Sequence, residues 1–157
     1  MTLARDERGL ESLPLKLIIV AIIATMSVVP ASQALESFRD RDYMMRAQVQ
    51  LENIVSAAET LLVEGLGAVR TLQMDFERHG GAGFESLSIG DRRGGPNMSL
   101  VILRTNGGGV IAREAGEPQV WLRSTSGSSL DVRVPSFAIR LSTQLECLTP
   151  YVLAELV

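Results

Sequence analysis

Few residues in this chain have the types and spacing that chemistry needs. His79 is the sole histidine and lies in HGGAG at 79–83. Glycines there supply the left-handed backbone that ends helices, and an imidazole beside them meets the last carbonyls. The spacings of a zinc-protease helix, a nucleophile elbow and a phosphate loop are all missing from the sequence. NGGGV at 106–110 has the glycines of a phosphate cradle, but it opens a β-type run where a cradle opens a helix. Asn106-Gly107 between two such runs predicts a hairpin. Asp40 and Asp42 alternate with arginines in RDRDY (39–43), the pattern of a solvated helix face and not of an oxygen-ligand site. Cys147 is the only cysteine. It can form neither an internal disulfide nor a thiolate metal site within one chain, and its β-type surroundings predict a small buried hydrophobe. One modification signal survives: Asn97-Met98-Ser99 is an N-glycosylation triplet in a loop, with Asn97 as the sugar acceptor. The expectation is therefore a non-enzyme with no catalytic, cofactor or metal site.

The rest of the chain must be read for what it builds. Its 157 residues allow one domain with a real core. Hydrophobic residues make up 46% but aromatics only 4%, so the core is aliphatic. A net charge of −3 and the lack of any basic patch argue against nucleic acid as a partner.

Three regions follow one another. Met1 to Lys16 is short and mixed in charge. From Leu17 to Val29 the run is apolar except for Thr25 and Ser27, whose hydroxyls can bond back to a helix backbone. Extended to Leu35, it spans about 28 Å as a helix, close to a bilayer core. Pro30 inside it predicts a kink. Beyond it, Phe38, Met45, Val49, Val55, Ala58, Leu62, Val69, Leu72 and Phe76 recur at helical spacing, opposite Glu36, Arg39, Asp40, Glu52, Glu59, Glu64 and Glu77. Gly65 and Gly67 weaken that helix locally, and the glycines after His79 stop it.

From Phe84 on the period changes. Residues 99–105, 110–115, 119–125, 130–142 and 150–156 are short β-type runs separated by Gly, Asn and Ser clusters. Leu130, Val132 and Val134 alternate with Asp131 and Arg133, and Phe137, Ile139 and Leu141 resume after Pro135. This predicts a small antiparallel sheet with one wet face, its dry face covered by the amphipathic half of the helix. The fold class expected is α+β. The segments are a charged leader (1–9), an apolar helix (10–35), its amphipathic continuation (36–80) and a β domain (84–157).

Two readings of the apolar run remain open. Lys16, about thirteen apolar residues, Pro30 and the small residues 32–34 fit a secretion signal cut after Ala34, which would release a secreted β domain. Against it stand three acidic residues before the run and a helical pattern that passes through the cut. The alternative is a retained anchor. Arg8-Gly9 followed by Leu10, Glu11 and an apolar helix that runs into an amphipathic one and a β domain resembles the type IV pilin-like proteins, archaeal ones in particular. The resemblance implies a membrane prepilin peptidase that recognises Arg8 and Gly9 and cuts before Leu10. It implies a single-pass cell-membrane protein whose C-terminal domain is extracellular, and a structural subunit of a surface filament. Its partners are then membrane lipid before assembly and other copies or related subunits after it. Glu11 is then placed to neutralise a neighbour's new amino terminus or to pair with Lys16 of another copy, since an unpaired buried carboxylate is costly and enforces register. A single-pass anchored domain that never polymerises has the same outline.

Overall fold

The computed structural model describes residues 8–78, 83–116 and 119–157, with side chains described from Leu15 onward except Ser27 and Val29. One helix and eight strands follow in order: α1 (Arg8–Glu64), β1 (Val69–Asp75), β2 (Phe84–Ile89), β3 (Leu100–Thr105), β4 (Val110–Glu114), β5 (Leu122–Ser124), β6 (Leu130–Val132), β7 (Ser136–Glu146) and β8 (Thr149–Leu156). The fold is α+β. The chain divides into two compact units, Met1–Arg41 and Asp42–Val157.

In the first unit the helical assignment passes through Pro30 without a break. Leu15, Leu17, Ile18, Ile19, Val20, Ile22, Ile23, Met26 and Val28 are between 47% and 74% exposed. Thr25 returns its hydroxyl to the carbonyls of Ala21 and Ile22, both at 2.9 Å, and Ser37 bonds Gln33 O at 2.9 Å. The Thr25 and Ser37 hydroxyls are thus satisfied inside the helix.

In the second unit the strands form two four-stranded sheets, ordered β1-β7-β8-β5 and β4-β3-β2-β6. All pairs are antiparallel except β5 with β8. A single sheet is what the sequence suggests. Two arise because Pro135 splits the run 130–142, sending β6 to pair with β2 and β7 to pair with β1 and β8.

The helix fills the seam between the sheets. Gln50 accepts from Asp75 N at 2.9 Å and donates to Asp75 O, so its amide imitates one residue of a neighbouring strand. Glu64 pairs with Arg70. On the other side Glu52 lies 3.5 Å from Arg113, and a side chain on Gly109 would meet the Met44 methyl group. These contacts run β1 antiparallel and β4 parallel to the helix, and shield the outer edge of each sheet. Leu51, Ile54, Ala58 and Leu61 then share one core with Met74 and Ile139 from one sheet and Leu87, Val101 and Leu103 from the other.

Three expectations are corrected. The amphipathic helix does not reach residue 80: α1 ends at Glu64, and Val69–Asp75 is β1. Gly65 and Gly67 both take positive φ (97° and 83°) and reverse the chain. Val69, Leu72 and Phe76 fit helical spacing by coincidence, whereas Leu72, Met74 and Phe76 also alternate with Thr71, Gln73 and Asp75. The buried helix face is shifted, most of all in its first half. Phe38, Met45 and Val49 are exposed, whereas Tyr43, Ala47, Leu51, Ile54 and Leu61 are buried together with the expected Val55 and Ala58. The alanines on the chosen face let the helix backbone approach the sheets. Finally, Cys147 is exposed. It forms a two-residue turn with Leu148 between β7 and β8, both at positive φ.

Candidate functional site

The feature with the clearest functional meaning is the apolar part of α1, the one helix among the described residues that is long and apolar enough to cross a membrane. Lys16 lies exposed near its start, with a stem that can run along apolar surface while the ammonium reaches water. Arg8, Gly9, Leu10 and Glu11 occupy the first turns of the same helix; their side chains lie outside the described residues. So do the leader residues 1–7, His79 and the glycines beside it.

Asn97 lies half-buried in the turn before β3, and its carbonyl accepts from Leu100 N at 3.0 Å. Ser99, the third residue of the triplet, is 4% exposed and donates to Glu114 Oε1 at 3.2 Å. The hydroxyl that a glycosylating enzyme reads is therefore engaged once the domain folds.

Two acidic side chains beside one pocket are likewise occupied. Glu52, Glu59 and Glu114 line one pocket with Gly116 and Gln119, but Glu52 faces Arg113 and Glu114 accepts from Ser99 and Gln119. Among the described residues no group of three His, Cys, Asp or Glu could hold a metal ion. Asp42 pairs with Arg46 at 2.7 Å on an exposed helix face. The NGGG segment is the β3–β4 hairpin: Thr105 N donates to Gly109 O at 2.9 Å, and the left-handed residue is Gly108, φ 81°.

Two polar features were not singled out from the sequence. On the outer face of the first sheet, the Arg123 guanidinium lies 5.2 Å from the Trp121 ring centre and 4.7 Å from that of Tyr151. It pairs with Glu146 at 2.6 Å, while Arg93 covers Trp121 at 5.7 Å. Trp121, Tyr151 and Leu153 are buried there beneath Met98 of the loop before β3, so the cluster is a small second core and not an open aromatic platform. Trp121 and Arg123 two residues apart carried the signal, since both side chains leave one face. The second feature is Tyr43, buried in α1 with an unpartnered hydroxyl and the Arg78 guanidinium 5.4 Å from its ring centre. Burial pushes its phenol above the usual value, and Arg78 offsets part of that shift.

No protein-family description, characterised protein or solved structure gives a significant match to this chain. The structure therefore defines a class by its parts: an α+β domain whose spine is the second half of a helix that begins with a membrane-length apolar stretch.

Proposed function

We propose that the chain is a structural subunit of a type IV pilus-like cell-surface filament, held in the cell membrane by its N-terminal helix before assembly, and that it has no catalytic role. One observation carries this reading. Among the described residues the apolar half of α1 has no cover within its own chain, while the other half is built into the core of a β unit. A discarded signal would leave a helix beginning near Leu35, yet α1 is assigned without interruption from Arg8 to Glu64.

In this reading a prepilin peptidase removes residues 1–9 after recognising Arg8 and Gly9, and the mature chain starts at Leu10. Lipid then solvates the helix, whose backbone groups are satisfied internally. Later, other copies replace the lipid. Glu11 neutralises a neighbour's amino terminus or pairs with Lys16, and the β unit, with Asn97 as sugar acceptor, faces outward. Because the Ser99 hydroxyl is taken by Glu114 in the folded domain, sugar must be added before folding.

The test is the amino terminus of the native protein, read by mass spectrometry in the membrane fraction and in filaments released by shear. A start at Leu10 in sheared filaments, lost in Gly9→Val with accumulation of the full-length precursor, is expected. A start near Leu35 in the soluble fraction overturns the proposal in favour of a secreted domain. A start at Leu10 with the chain confined to the membrane and no filaments refutes polymerisation and leaves an anchored domain.

A further inference from the structure

We draw no further inference here: the strongest candidate, the exposed apolar side chains Val63 and Leu66 at the end of α1 and Leu145 and Leu148 at the β7–β8 tip, has nothing in the structure to show what covers it.

Discussion

Leu51→Ala and Val49→Ala, two residues apart on α1, separate the two apolar stripes that the helix carries. Leu51 is 0% exposed and sits in the shared core; Val49 is 61% exposed. Truncating Leu51 removes three carbons, a transfer loss of about 2.4 kcal/mol at ~0.8 per carbon. Its neighbours Ala47, Ile54, Val55 and Ala58 are held on a rigid helix between two sheets, so the void stays open and the total reaches about 3–4 kcal/mol. Truncating Val49 loses little burial and gains roughly 0.5 kcal/mol of helix propensity, leaving a net change near zero. Urea unfolding of the full chain in detergent micelles measures both. Trp121, the only tryptophan and buried next to β5, is the fluorescent reporter. With a slope of about 2 kcal/mol per molar urea, Leu51→Ala moves the midpoint down by about 1.5–2 M, and Val49→Ala leaves it nearly unchanged. If Val49→Ala costs as much as Leu51→Ala, the sheets pack on the other stripe and Leu51 does not face the seam.

Other perturbations have equally definite outcomes. Gly90→Ala places a Cβ 1.9 Å from Leu122 O at φ 67°; a backbone atom cannot swing aside, so the expected loss is about 3 kcal/mol or more in thermal unfolding. Gly94→Ala, also at positive φ (74°) but in open space, costs only about 1–2 kcal/mol. Arg123→Lys keeps the charge and loses the planar stack between Trp121 and Tyr151; it should cost about 1–2 kcal/mol and shift Trp121 emission, whereas exposed Arg140→Lys does neither. Tyr43→Phe removes a buried hydroxyl that has no partner, so stability holds or rises by up to ~1 kcal/mol. Because burial raises the folded-state pKa of Tyr43, the unfolded chain loses that proton first. Stability therefore falls as pH rises above about 10, and the Tyr43 contribution to that fall is absent in the phenylalanine variant when urea titrations are compared across pH.

The sequence was legible where one periodicity dominated. Alternation in Phe137, Ile139 and Leu141 placed β7, and Asn106 with its glycines placed the β3–β4 hairpin. The apolar run was helical, and the amphipathic segment did cover the sheets. It failed where two patterns coexist on the same residues. Met45 with Val49 and Leu51 with Ile54 are both apolar stripes, and only the sheets decide between them. Val69–Asp75 fits either period; the positive φ of Gly65 and Gly67 settled it. In β2 a register shift between Phe84 and Ser86 disturbs the alternation that would have marked the strand. The Cys147-Leu148 turn lacks the Asn or Gly that normally announces it, and long pairing of β7 with β8 holds both residues in a conformation their side chains disfavour.

The apolar segment imposes its own condition on the mature protein. From Leu15 to Val28, nine large apolar side chains stand roughly half to three-quarters exposed. Leaving that surface in water costs on the order of 10 kcal/mol, comparable to the whole stability of a typical domain. Something apolar must therefore cover it wherever the segment is retained. Lipid does so at once, but lipid also removes the hydrophobic drive for helices to associate, since tails are as apolar as leucine. In the proposed filament, assembly must then be driven by close packing and by polar pairing within the apolar layer. That gives Lys16 a definite burden. Lys16→Leu improves the fit of an isolated helix to the bilayer, so under the proposed function the variant is expected to insert and to be cut before Leu10 as before. What it should lose is filament yield: shear-released material drops severalfold while membrane-bound mature chain accumulates, as quantified by immunoblot of the two fractions. Filaments at normal yield from Lys16→Leu would show that no pairing through Lys16 supports assembly.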